Sequence, residues 1–320
     1  MTVSTRQPTP QARPIASANP SVASHLARHA TPVASDTPIA PSASQAAALP
    51  PVLSIAGSDS CGGAGIQADI KTMLACDVYA MTAITAITAQ NTTGVTAIAP
   101  TSPDMLAAQI DAVFDDVPPV AVKIGMVPDR TLIGVIADRL AFYRADKVVL
   151  DTVMVASSGA RLIDRNATKA MVARLLPLAT LITPNLPETA VLLDSPIEDI
   201  RGHDAMRQAA AELERRYGCA VLVKGGHSGT DADDVLVSHG GVMWFEGAHI
   251  NNPNTHGTGC TLSSAIASFL ARGETLPDAI TDAKAYLTGA LRAGLDLGHG
   301  SGPVDHAWNR HMPYHGHEAK

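Results

Sequence analysis

The chain has 320 residues, of which 46% are hydrophobic, 17% charged and only 3% aromatic, and its formal charge is −7. A chain of this length buries a full core without disulfides or a structural metal. An acidic, aromatic-poor sequence also excludes a nucleic-acid binder, which needs basic stripes and stacking platforms. No apolar run reaches the ~18 residues of a membrane span. Cys61, Cys76, Cys219 and Cys260 form no CxxC pair, so neither a disulfide framework nor a zinc cluster is indicated, and free thiols fit a reducing cytoplasm. The composition points to a protein that handles small molecules.

Residues 1–50 are rich in Ala, Pro, Ser and Thr, with Arg6, Arg13 and Arg28 against the single acid Asp36. Recurrent Pro blocks helix and ladder alike, and such a segment buries too little surface to offset its ordering entropy. It reads as a disordered extension. No compact apolar stretch makes it a signal peptide; an organellar transit peptide is the alternative for a Ser-rich, acid-poor leader. With +2 in this segment, residues 51–320 carry −9.

From Val52 the pattern changes. Short apolar runs at 52–57, 120–124, 147–150, 180–183 and 220–223 sit beside stretches of helical spacing at 104–114, 130–143, 167–178 and 205–217. This alternation predicts βαβ units and a parallel sheet. Residues 81–89 read as a further strand, 234–238 and 242–245 as a hairpin, and 259–272 and 276–295 as closing helices. One α/β domain over 51–320 is the economical reading. It ends in a tail holding His299, His306, His311, His315 and His317, whose irregular spacing reads as polar rather than metal-binding.

In such sheets ligands bind beyond the carboxyl ends of the strands. The loop Gly57–Gly65 matches neither a Walker loop nor a dinucleotide fingerprint. Its glycines permit either a flexible turn or a close backbone approach to a ligand. The segment Asn254–Thr261 puts Gly257 and Gly259 before a helix, where unpaired N–H groups and the helix dipole make an anion site. The bland reading is a capped helix with a buried thiol. Cys260, if it faces a ligand there, is expected to have a lowered pKa. Lys224 ends a strand before Gly225-Gly226, suited to a phosphate but as often solvated. Asn185 and Glu188 follow a strand in Thr-Pro-Asn-Leu-Pro-Glu, which is also ordinary turn chemistry. Asp151 follows Val-Val-Leu and could face Mg²⁺ or cap a helix. Asp69 and Lys71 sit on the helix after the first loop, with exposure the default, and Gln90-Asn91 end a strand.

In order, Ser54–Asp59 with Gly62–Asp69, Thr88–Thr92, Lys123–Met126, Val149–Met154, Thr183–Glu188, Lys224–His227, Asn254–Cys260 and Gly302–Val304 closely resemble the hydroxymethylpyrimidine/phosphomethylpyrimidine kinases of thiamine biosynthesis. The resemblance covers about residues 52–306. It implies a ribokinase-like α/β fold, a mostly parallel sheet with helices on both faces, and commonly a homodimer. It implies ATP and Mg²⁺ as cofactors and a pyrimidine alcohol and its monophosphate as substrates. Carried over, Asp69 and Gln90 match positions that hydrogen-bond the aminopyrimidine, with Gly65, Met126 and the backbone near Val153 shaping the pocket. Asn185, Glu188 and Asp151 match the stretch that works with ATP and Mg²⁺, in part through water. Lys224 matches the lysine near the transferred phosphate, and Gly257, Gly259 and Cys260 the anion hole. Sugar kinases of the superfamily carry Asp where Cys260 stands, and Cys61 replaces the usual Ser or Pro.

Three other readings remain, one of them a non-catalytic ligand-binding module in which Lys224 and Cys260 would be dispensable to every activity. A pyridoxal/pyridoxine kinase of the same superfamily handles a similar heteroaromatic alcohol. A thiol hydrolase or acyltransferase would use Cys260 as nucleophile and His256 as base.

Overall fold

Most strands of this protein are buried on both faces. The computed structural model describes residues 49–154, 163–226 and 232–310; the 1–48 part of the expected extension and His311, His315 and His317 lie outside the described residues. In chain order the elements are β1 (Pro51–Asp59), α1 (Gly65–Ala75), β2 (Tyr79–Asn91), β3 (Gly94–Pro100), α2 (Pro103–Asp116), β4 (Ala121–Ile124), α3 (Arg130–Tyr143), β5 (Val148–Leu150) and α4 (Arg165–Arg174). They continue with β6 (Leu181–Ile182), α5 (Leu186–Leu193), α6 (His203–Tyr217), β7 (Ala220–Lys224), β8 (Asp234–Ser238), β9 (Gly241–Phe245), α7 (Thr258–Ala271) and α8 (Leu276–Ala293).

The strands form one sheet in the order β3-β2-β1-β4-β5-β6-β7-β8-β9. Its middle six are parallel, from β2 to β7. The edges are antiparallel: β3 folds back on β2, and β8 and β9 form the expected hairpin beside β7. Strand alternation divides the core in two. Leu53, Ile55, Val122, Ile124, Leu150 and Val223 face α2, α3, α4 and α6, against residues such as Ile110, Ile136, Met171 and Leu213. Val52, Val149, Leu181 and Leu222 face the opposite layer, with Met73 of α1, Ile266 and Phe269 of α7, and Ile280 of α8. Helices thus cover both faces.

Two expectations needed correction. Residues 167–178 are not one helix: Pro177 cannot extend the hydrogen-bond ladder, so α4 stops at Arg174 and a 3-10 turn, Leu176–Leu178, follows. Strand β3 was missed because its residues are mostly exposed and show no buried face. Its turn is closed by Asn91 Oδ1, which accepts the N–H groups of Thr93 (2.9 Å) and Gly94 (3.1 Å).

Candidate active site

The ends of β1, β5 and β7 and the starts of α5 and α7 converge at the carboxyl edge of the sheet. At β7, Lys224 Nζ donates to Asp151 Oδ1 at 3.2 Å, just beyond β5. Lys224 is largely buried rather than solvated. Burial works against its charge, but Asp151 and Glu188 outweigh that and hold its pKa above the usual value. Asp151 caps no helix here; Oδ1 also accepts from Thr183 Oγ1 (3.3 Å).

Helix α7 starts directly against this pair. Gly257, its N-cap, has φ +82°, and a Cβ there would collide with the Gly63 carbonyl, so the two glycine loops touch backbone to backbone. A Cβ on Gly259 would lie 3.3 Å from Asp151 Oδ2 and 3.5 Å from Lys224 Nζ. The first bond within the turn is Thr261 N–H to Gly257 O (2.8 Å). The N–H groups of Gly259 and Cys260 therefore precede the ladder, beside a fixed ammonium.

Helix α5 starts with a capping box. Asn185 Oδ1 accepts from Glu188 N (2.9 Å), while Glu188 Oε2 accepts from Asn185 N (3.0 Å). Glu188 also accepts from Thr152 Oγ1 (2.9 Å) and Met154 N (3.3 Å). Burial raises its pKa, with Lys224 opposing. Its oxygens are largely taken, so of the two expected Mg²⁺ carboxylates Asp151 is the more open. Asp151 lies beside the start of α7 and pairs with Lys224. Hard carboxylate oxygens fit Mg²⁺.

Several site residues sit differently from expectation. Asp69 is fully buried, not exposed. Both its oxygens accept from Lys123 Nζ (2.8 Å each), and Ser54 Oγ and Ser264 Oγ complete the set. These four bonds from three partners leave it no direct hydrogen bond to offer a pyrimidine in this conformation. The cause is Lys123, which strand alternation turns away from Val122 and Ile124 toward α1 and α7. A lysine inside an apolar strand was the available signal for this partner, and sequence reasoning passed over it.

Cys260 does not have a lowered pKa. Burial pushes its thiol up to about 11, with Lys123 and the Gly65 N–H opposing. The helix N-terminus alone does not compensate for the lost solvent.

The first loop is tied down by hydrogen bonds to Asp59. Asp59 accepts the N–H groups of Cys61 (2.9 Å), Gly63 (3.1 Å) and Ala64 (2.8 Å), and His256 Nε2 lies 2.8 Å from its Oδ2. Burial opposes this charge, but the His256 and backbone bonds hold the pKa below the usual carboxylate value. His256 thus serves Asp59, and no bond to Cys260 supports a nucleophile–base pair. Gly65 (φ +57°) packs on the Gly57 carbonyl. Met126 Cε would be 2.6 Å from a Cβ on Gly57. Gln90 reaches His256 Nε2 at 3.4 Å. Val153 lies near Gly125 and Asp151. His306, assigned to a polar tail, is instead buried against Thr261 Oγ1 at 3.1 Å.

A cavity of about 880 Å³ between β9 and α8 had no sequence signal. Trp244, Trp308, Lys284 and Arg292 help line it. It adjoins the site through Asp234, which accepts from both Gly225 N (2.9 Å) and Lys284 Nζ (2.8 Å).

A three-layer sheet with an ammonium, a carboxylate and a glycine-capped helix start at its carboxyl edge defines a small-molecule phosphotransferase of the ribokinase-like class. The chain belongs to the phosphomethylpyrimidine kinase family, whose model matches residues 59–305. A hydroxymethylpyrimidine/phosphomethylpyrimidine kinase of Rhizobium meliloti is 49% identical over 258 residues, 79% of this chain and 96% of that protein. The thiamine biosynthesis bifunctional protein ThiED of Geobacter sulfurreducens is 46% identical over 89% of this chain, which spans only 58% of that longer protein. Among solved structures, phosphomethylpyrimidine kinase from Clostridium difficile aligns with TM-score 0.65 at 42% identity, covering 75% of this chain and 98% of that one. The ADP complex of Bacillus subtilis pyridoxal kinase aligns with TM-score 0.75 at 34% identity, covering 82% and 99%.

Proposed function

We propose that this chain transfers the γ-phosphoryl group of ATP to 4-amino-5-hydroxymethyl-2-methylpyrimidine, and then to the monophosphate, giving the diphosphate used in thiamine biosynthesis. The observation that carries this reading is the Lys224–Asp151 pair set against Gly259 at the start of α7. In the first step the hydroxymethyl oxygen attacks the γ-phosphorus and the bond to ADP breaks. Lys224 and the N–H groups of Gly259 and Cys260 hold the charge that collects on the transferred oxygens. Gly257 lets the two loops close against each other and exclude water. Asp151, with Glu188 acting through water, would hold Mg²⁺, which when bound neutralises phosphate charge.

Gln90, Met126, Gly65 and the backbone at Val153 line the pyrimidine side. Asp69 supports that side from below through Ser54 and Lys123. Asn185, beside Lys224 through the Pro184 carbonyl, faces the nucleotide phosphates, and the cavity between β9 and α8 takes the base. Cys260, at the start of α7, accepts the proton of the attacking hydroxyl only in its thiolate form, which burial makes scarce at neutral pH. In the second step a phosphate oxygen attacks and needs no base.

A second reading, pyridoxal phosphorylation, draws on the pyridoxal kinase alignment above; identity and the family match favour the pyrimidine. The mostly exposed edge strand β3 suits a second copy of the chain and hence a homodimer. Among the described residues no helix is long and apolar enough to cross a membrane, and four free cysteines fit the cytoplasm. Incubation of the pyrimidine alcohol with ATP and Mg²⁺, followed by mass spectrometry, tests the function. Monophosphate and then diphosphate should appear with wild type and neither with Lys224→Ala; absence of both from wild type refutes it.

A further inference from the structure

One group beside the site has no part in this chemistry. Cys61 lies in the β1–α1 loop, and its Sγ, an Asp59 carboxylate oxygen and a His256 ring nitrogen all fall within 4.8 Å of one another. A tetrahedral ion bound at about 2.0–2.3 Å to such donors needs them about 3.3–3.8 Å apart, so the widest pair must draw together by side-chain rotation, and His256 and Asp59 must part slightly or use Asp59 Oδ1. Thiolate, imidazole and carboxylate together select a zinc-like ion over magnesium.

The scaffold stands without metal. Asp59 Oδ2 already receives Gly63 N–H, Ala64 N–H and His256, but Oδ1 receives only the Cys61 N–H. A carboxylate has about four acceptor positions, so Oδ1 keeps one open. His256 Nε2 lies between an acceptor, Asp59 Oδ2 at 2.8 Å, and a donor, the Gln90 amide nitrogen at 3.4 Å. One ring nitrogen serves only one of these at a time. Binding needs the ring proton on Nδ1, so the Nε2–H bond to Asp59 is given up and the Nε2 lone pair turns to the cation. Asp59 and His256 are buried while Cys61 is half-exposed, which leaves an entry path on the thiol side.

We propose that Cys61, Asp59 and His256 form an inhibitory site for a zinc-class divalent ion, with water as the fourth ligand. The ion replaces the proton of the Cys61 thiol, which leaves to solvent. It also takes the Nε2 lone pair from the Gln90 amide, and it fixes the Gly57–Gly65 loop against His256. Metal and pyrimidine therefore oppose each other at Gln90. The metal site stands on its own geometry; only its effect on turnover rests on the proposed function.

The test is a Co²⁺ titration of the chelator-stripped full chain, followed by the thiolate-to-cobalt charge-transfer absorption. One equivalent should produce the band in wild type and in Cys260→Ser. Cys61→Ser should abolish it and weaken binding at least as much as loss of an outer partner does, about 10–100-fold. Stoichiometric Zn²⁺ should lower kcat/KM for the pyrimidine in wild type and leave Cys61→Ser, whose metal-free activity equals wild type, unaffected. No band in wild type, or a band that survives in Cys61→Ser, overturns the site. A Cys61-dependent band with unchanged turnover overturns the inhibition. The cobalt signal needs no kinase activity, so its failure is distinct from failure of the kinase reading.

Discussion

Lys224 and Asp151 meet at 3.2 Å although they end strands β7 and β5, which the sheet separates by β6. Parallel order brings both strand ends to one edge, and α7 closes over them at Gly259. The pair is not a device for stability, since a largely buried ion pair gains little over apolar packing. It leaves one ammonium and one carboxylate fixed where phosphate charge must be handled.

Gly259→Ala tests this corner. Its Cβ would sit 3.3 Å from Asp151 Oδ2, close enough to fit but in the way of a phosphoryl group. The melting temperature should hold within about 2 °C, while kcat/KM for ATP falls on the order of 100-fold. Gly257→Ala should lose both, because φ +82° and the Gly63 carbonyl leave no room. Thermal melts and steady-state kinetics on the two variants separate these outcomes.

Asp69→Ala should lower unfolding free energy by about 3–5 kcal/mol, because it strands the buried Lys123 charge. Pairing Asp69→Leu with Lys123→Met should recover most of that loss in urea titrations. A group whose only role is to touch substrate would leave stability unchanged.

His306 links stability to pH. Burial first, and the Lys71 charge second, hold its pKa down at about 4. The unfolded chain binds this proton more readily, so the contribution is complete above about pH 6.5. It falls as pH drops toward about 4, by on the order of 3 kcal/mol in all. His306→Gln should flatten that slope in urea unfolding between these limits. An unchanged slope would place the imidazole in solvent.

Cys260 carries a thiol pushed up to about 11 by burial, so at neutral pH it is protonated before substrate arrives. Phosphorylation of the alcohol should accelerate with rising pH above neutrality, and phosphorylation of the monophosphate should not. Cys260→Ala should cost the first step about 100-fold and the second far less, measured as separate single turnovers. Equal losses would assign the thiol to packing.

Much of the fold was legible because buried parallel strands read as unbroken apolar runs between helical periods. The α3 boundaries follow from Asp129, which caps Thr131 and Leu132, and from the period behind it. Strand β3 was hidden because its one short apolar run, 95–99, lies exposed at the sheet edge with neither face buried. Glycines 257 and 259 and Lys224 were visible as loop chemistry at strand ends. Long-range pairings such as Asp59 with His256, 197 positions apart, and Asp69 with Lys123 were not. Local spacing holds no information about which buried charges meet across layers. The same limit explains the wrong direction for Cys260, where burial by α1 and β4 outweighs a helix terminus that sequence can see.

The most direct test of the central claim is kcat/KM with ATP and Mg²⁺ for three acceptors side by side: the pyrimidine alcohol, its monophosphate and pyridoxal. The account predicts turnover of both pyrimidines, each at least about tenfold above pyridoxal, the scale of one well-placed contact. Preference for pyridoxal, or failure on both pyrimidines, would contradict it.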